Sequence, residues 1–127
     1  MESLLIEGTE STPEIRVDPN GKISLTGESF PENVSTFYQP LFDKLEELAE
    51  EKGGISVDFR LIYFNSSSVK VLLNIFDRLD EIAGEGREVT VNWYYQEDDD
   101  TIMEFGEEFA EELEHVRFHL LETDGEG

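Results

Sequence analysis

Apolar residues recur along this chain in two periods, and the change from one to the other separates strands from helices. Period two governs Ile15-Arg16-Val17 and Ile23-Ser24-Leu25, which flank Asp18-Pro19-Asn20-Gly21. Pro19 presets φ at the second turn position, Asn20 tolerates the next, and Gly21 takes the positive φ that often follows. The two runs are therefore expected to form an antiparallel hairpin. A shorter apolar run, Ser3 to Ile6, precedes them. After Phe30-Pro31-Glu32-Asn33 the period becomes helical. Phe37, Leu41, Leu45 and Leu48 share one face, while Asp43, Glu46, Glu47, Glu50 and Glu51 fill the other. Pro40 lies inside this stretch and is expected to kink the helix or mark its true first turn; Gly53-Gly54 stops it.

Ile55 to Phe64 reads as the strongest strand. Ile55, Val57, Phe59 and Leu61 alternate with Ser56, Asp58 and Arg60, and Ile62-Tyr63-Phe64 is apolar on both faces, as expected where a strand ends inside a covered sheet. Asn65-Ser66-Ser67-Ser68 breaks the pattern. An amphipathic helix follows, with Val69, Leu72, Leu73, Phe76, Leu79 and Ala83 on one stripe, Val71, Ile75 and Ile82 beside it, and Gly84 and Gly86 at its end. Glu88 to Tyr95 alternates again, Asp98-Asp99-Asp100 caps a third helix through Ile102, Phe105, Phe109 and Leu113, and Val116 to Leu121 reads as a last strand. The order β-β-β-α-β-α-β-α-β calls for crossover connections, so the last three strands should be largely parallel, with the hairpin at one side. The fold class is α/β, a small mixed sheet with helices. No repeat or linker divides the chain, and its length suits one domain spanning residues 1–127.

Composition narrows the function. The 127 residues carry 31 Asp plus Glu against 9 Lys plus Arg, a formal charge of −22, yet 38% hydrophobic and 11% aromatic content can fill a core. Nucleic acid is bound mainly through Lys and Arg contacts to phosphate, and anionic membranes attract the same cations, so neither is an expected partner. An organism living in high salt loads its surfaces with acid in the same way, and Lys numbers only 4 here; the charge is compatible with either origin. Without cysteine there are no disulfides, thiolate nucleophiles or Cys-ligated metals. The N-terminus has an acid where a signal peptide is basic, and no run approaches the roughly 20 apolar residues of a membrane span. A cytoplasmic protein is expected.

Enzyme chemistry finds little support. His115 and His119 are four apart but straddle a helix-to-strand junction, so they share no helical face for a metal. Ser66 lacks a nucleophile-elbow motif, and no base and orienter accompany it. The acids from Asp98 to Asp100 lack the glycine and the final acid of a calcium loop, and suit the positive end of a helix dipole. No cofactor is implied. The segment from Asn65 to Lys70 stands out, because an N-cap needs one side-chain oxygen and here an amide and three hydroxyls follow a buried strand. Two readings remain: capping alone, or a binding or modifiable hydroxyl at the strand end where open α/β sheets place such groups. A phosphate on it would meet free N–H groups at the helix start, with Lys70 one turn on.

A strand, a serine-containing loop and an amphipathic helix on a small mixed sheet resemble the STAS domains of anti-sigma factor antagonists, which are switched by phosphorylation at that loop. Phe59 to Lys70, Ile75-Phe76-Asp77, Gly86-Arg87-Glu88-Val89, Val91 to Tyr95, Gly8 to Pro13 and Phe30-Pro31-Glu32-Asn33 resemble, more closely, the SiaC family of bacterial regulatory phosphoproteins. That resemblance covers nearly the whole chain. It implies a STAS-like regulatory domain that is not an enzyme, controlled by a Ser/Thr kinase and a phosphatase. Unphosphorylated, such a protein binds and activates a diguanylate cyclase and so promotes cyclic-di-GMP synthesis. The family's phosphorylated Thr follows the loop Asn, which matches Ser66 here; Ser67 and Ser68 lie beside it. The patch expected to meet partners comprises Tyr63, Phe64, Asn65, Ser66, Ser67, Ser68, Lys70 and Asn74. An anti-sigma antagonist would share this fold and differ in its partner.

Overall fold

The turn at Asp18 to Gly21 closes as its residues require. Gly21 has φ +91°, its N–H donates to the Asp18 carbonyl at 3.0 Å, and Asp18 N–H donates to Lys22 at 2.8 Å. A side chain at Gly21 would strike the Gly54 carbonyl, so glycine is needed here both for its φ and for the close approach of a neighbouring loop. The computed structural model describes residues 2–123. Within it run β1 (Leu4–Ile6), β2 (Glu14–Val17), β3 (Lys22–Ser29), α1 (Val34–Glu50), β4 (Ile55–Phe64), α2 (Ser66–Gly84), β5 (Val89–Gln96), α3 (Asp100–Glu111) and β6 (Arg117–Thr123). They build one six-stranded sheet in sequence order. β1, β2 and β3 pair antiparallel, and β3, β4, β5 and β6 pair parallel.

Right-handed crossovers that always step in the same direction put every connecting helix on the same face. That face carries Ile15, Val17, Ile23, Leu25, Val57, Phe59, Val91 and Trp93, all buried in one cluster with the apolar sides of the helices. Trp93 is its hub. The rings of Phe59, Phe64, Phe76, Phe109 and Phe118 surround it at centroid distances between 5.3 and 6.5 Å, and its indole N–H donates to the Ile102 carbonyl at 2.9 Å. Gly106 lets α3 approach closely, since a Cβ there would come within 2.5 Å of both Trp93 and Leu120. The opposite face carries the polar alternates Ser56, Asp58, Arg60, Thr90 and Asn92, partly exposed, so among the described residues the sheet is covered on one side only.

Three expectations change. Pro40 does not mark the first turn of α1, which runs through it from an N-cap at Asn33. Proline removes one hydrogen bond, to the carbonyl of the exposed Thr36, while burial of Tyr38, Leu41, Leu45 and Leu48 holds both sides of the break together. Tyr38 lies deepest on this side, where its hydroxyl finds a buried partner, and Phe37 packs against the core beside it, the two rings edge-on at 4.9 Å. The last strand begins at Arg117 and runs to Thr123, two residues beyond the expected end.

The third change affects the site. Strict alternation would send Phe64 to the open face, but the β3–β4 register jumps from Gly27↔Leu61 to Glu28↔Tyr63 and leaves Ile62 as an extra residue. This bulge returns Phe64 to the core at 7% exposure, and leaves Ile62 and Tyr63 exposed at 56% and 49%. The apolar run at the end of β4 therefore reflects a bulge and not a covered sheet.

Arg78 binds Glu46 in a two-pronged ion pair at 2.6 and 2.8 Å, joining α2 to α1. Arg87 donates to the carbonyls of Leu48, Ala49 and Gly53, satisfying the C-terminal end of α1 with a cation. Among the described residues no helix is long and apolar enough to cross a membrane.

Candidate functional site

Asn65 follows the bulge with extended backbone and caps α2, its side-chain oxygen accepting from Ser68 N–H at 3.0 Å. The three serines then separate by depth. Ser66 and Ser67 are exposed in the first turn, where the leading N–H groups of a helix have no partner within it. Ser68 is wholly buried, and its hydroxyl donates to the Ser29 carbonyl at 2.9 Å and contacts the Ser29 hydroxyl at 2.8 Å. The Ser29 hydroxyl also meets the Tyr38 phenol at 2.6 Å. Burial pushes the Tyr38 pKa up to about 12, against the lowering effect of its bond to Ser29, so the phenol stays protonated and able to donate.

Six of the eight residues expected in the partner patch reach the surface or its margin. Tyr63, Ser66, Ser67, Lys70 and Asn74 are exposed, and Asn65 is half-buried as the cap. Lys70 and Asn74 continue the outer stripe of α2 from Ser67, and Asp77 and Glu81 extend it. Phe64 and Ser68 belong to the interior instead. Phe64 packs edge-on against Phe105 at 4.9 Å, and Ser68 faces Ser29.

The surface also includes apolar residues outside the expected patch. Phe30 is exposed and packs edge-on against Tyr63 at 5.7 Å, and Ile62 lies next to it in sequence and in the open. Past the Phe59↔Trp93 pair, β4 and β5 no longer form a ladder. Ile62, Tyr63, Asp99, Thr101 and Phe105 line a crevice beside the end of β4. The Gly8–Pro13 and Phe30–Asn33 segments meet through the Phe30 N–H, which donates to Ser11 at 2.8 Å. His115 and His119 belong to different elements, the segment before β6 and β6 itself.

The class this defines is a one-layer-covered α/β domain with an accessible serine turn at the end of a central parallel strand. A family model described as SiaC family regulatory phosphoprotein matches residues 6–123, and the chain belongs to that family. An uncharacterised protein of Pseudomonas aeruginosa strain UCBPP-PA14 is 38% identical over 114 residues, covering 88% of this chain and 90% of that one. The crystal structure of apo-SiaC from Pseudomonas aeruginosa superposes with a TM-score of 0.87 at 36% identity, covering 95% of this chain and 99% of that chain. SiaC in the crystal structure of the diguanylate cyclase SiaD with its activator, also from Pseudomonas aeruginosa, gives 0.90 at 34% identity, covering 94% and 99%.

Proposed function

We propose that this protein is a phosphorylation-switched activator of a diguanylate cyclase, competent when Ser66 is unmodified and set by a partner Ser/Thr kinase and phosphatase. It acts in the cytoplasm as a single regulatory domain and performs no chemistry of its own. The observation that carries this reading is the exposed Ser66 hydroxyl in the first turn of α2, with Tyr63 before it and Lys70 after it, in a chain of the SiaC family. A SiaC relative that is 34% identical is the activator bound to the cyclase SiaD in Pseudomonas aeruginosa, which supports a cyclase as the partner here.

The switch follows from charge. Phosphate adds about −1.5 to −2 charges and a hydration shell. On the free protein the N–H groups of the first turn and Lys70 receive it. Within a packed interface the same group must shed water, so the modified form loses the cyclase. Incubation with the cognate kinase and ATP, followed by mass spectrometry, should locate the phosphate on Ser66; a site on Ser35 or Thr123 refutes the assignment. The Ser66→Ala variant should still bind the cyclase and no longer respond to the kinase. Substrate turnover by the purified protein that vanishes in Ser66→Ala would replace this reading with an enzymatic one.

A further inference from the structure

A helix start held by one capping bond frays, yet the acceptor turn here is tied at both ends to a single atom. The Ser29 carbonyl at the end of β3 accepts from Asn65 N–H at 3.1 Å and from the Ser68 hydroxyl at 2.9 Å, so the N-cap and the third helical residue hang from the same oxygen. Proton bookkeeping fixes the direction of the rest. With its proton given to that carbonyl, Ser68 Oγ accepts from the Ser29 hydroxyl at 2.8 Å, and Ser29 Oγ accepts from Tyr38 at 2.6 Å. Three hydroxyls donate three protons in one direction. Ser29 and Ser68 are the buried polar residues among those described, and they lie together beneath the turn. Apolar side chains at both places would avoid the desolvation of the hydroxyls altogether, which makes stability alone a poor reason for the pair. A fully satisfied buried network instead holds one geometry.

We propose that Ser29 and Ser68 are positioning residues of the switch, clamping the turn so that Ser66 and Ser67 project in one fixed arrangement and withdrawing the third serine from the kinase. The proposal rests on Ser66 being the acceptor. Phosphorylation is then read as charge on a rigid surface and does not order or melt the turn.

Steady-state phosphorylation of the full-length protein by its kinase, combined with hydrogen exchange at the amides of Ser68 and Val69, tests the clamp. Ser68→Ala removes one of the two ties, whereas Tyr38→Phe removes only the outermost donor and keeps both. Ser68→Ala should lower kcat/KM for Ser66 by about tenfold or more through misplacement of the acceptor, and should speed exchange at both amides. Tyr38→Phe should leave both readouts within about twofold of wild type, whatever it costs in Tm. Ser68→Cys, which keeps the volume and a weak donor, should fall between and serves if the alanine variant does not fold. Wild-type kinetics in a folded Ser68→Ala protein, or equal kinetic losses in Ser68→Ala and Tyr38→Phe, overturn the proposal alone. A wild-type protein that takes no phosphate on Ser66 overturns the acceptor assignment and this proposal with it.

Discussion

Two neighbouring aromatic residues at the end of β4 should behave oppositely when truncated, because the bulge at Ile62 sends one inward and the other outward. Phe64 is 7% exposed and makes edge contacts with Phe105 at 4.9 Å and Trp93 at 6.0 Å. Replacing it by alanine removes a whole ring from the aromatic cluster and leaves a cavity beneath the site. Burial and cavity contributions together cost about 3–4 kcal/mol. In a domain of this size each kcal/mol lowers Tm by about 4 °C, so a fall of about 12–16 °C is expected. Tyr63 is 49% exposed and touches Phe30 edge-on at 5.7 Å. Its truncation should cost at most about 1 kcal/mol of stability. If Tyr63 anchors the cyclase, the same change should cost about 2 kcal/mol or more of binding, near a thirtyfold rise in Kd. Urea denaturation followed by circular dichroism gives the first pair of numbers, and calorimetry with the cyclase gives the second. Strict alternation without the bulge would reverse the stability ranking. A Tyr63→Ala protein less stable than Phe64→Ala would therefore remove the bulge from the account.

The remaining predictions concern the stripe on α2 and the anchors around it. Bulky replacements at Lys70 and Asn74 should abolish cyclase binding in a folded protein, whereas neutralising Glu107, Glu108 and Glu111 on α3 and Glu112 at its C-cap should keep affinity within about tenfold at 0.15 M salt, since screened surface charges act mainly on encounter; the reverse ranking moves the interface to α3. Asp80 accepts from the backbone N–H groups of Glu114, His115 and Val116 at 3.1, 2.8 and 3.2 Å; desolvation raises its pKa, but these bonds outweigh it and hold the carboxyl below its ordinary value. Its folded pKa lies below the unfolded one, so its contribution is complete above the unfolded value and fades as pH falls through the folded value. Asp80→Ala should cost about 2 kcal/mol at pH 7 and progressively less below about pH 4 in denaturant melts, and a gap that widens on acidification contradicts the assignment. Arg87→Ala should free three carbonyl groups around the end of α1 and lower stability by about 2 kcal/mol, while a change under about 0.5 kcal/mol would mean that water replaces the guanidinium freely.

Local chemistry made much of the fold legible in the sequence. Asp18-Pro19-Asn20-Gly21 closes the hairpin as its turn residues dictate, β4 has the expected ends at Ile55 and Phe64, and Asn65 and Asp99 cap the helices they precede. Features that depend on distant partners were hidden. The bulge left one trace, the four apolar residues in succession from Leu61 to Phe64, and that trace reads equally well as a covered strand. The burial of Ser68 depends on Ser29, 39 positions earlier, and no local rule distinguishes it from Ser66 or Ser67. Tyr38 joins Phe37 on the core side of α1, and the buried hydroxyl that lets a phenol lie there belongs to Ser29, again distant from it in sequence. Phe30 stands in the sequence beside Pro31, Glu32 and Asn33, but its place against Tyr63 depends on the β3–β4 register. Of the eight residues expected in the partner patch, six lie at the surface or its margin, and Phe64 and Ser68 are drawn inward by contacts that no local pattern shows.

The central claim is that one phosphate on Ser66 separates this protein from a diguanylate cyclase. Its most direct test is a calorimetric titration of the cyclase with the unmodified protein and with the protein phosphorylated on Ser66 alone, at 0.15 M salt. The account predicts micromolar or tighter binding for the unmodified form and a loss of about hundredfold or more on phosphorylation, from burying a doubly charged group against the interface. Equal affinities for the two forms would contradict it.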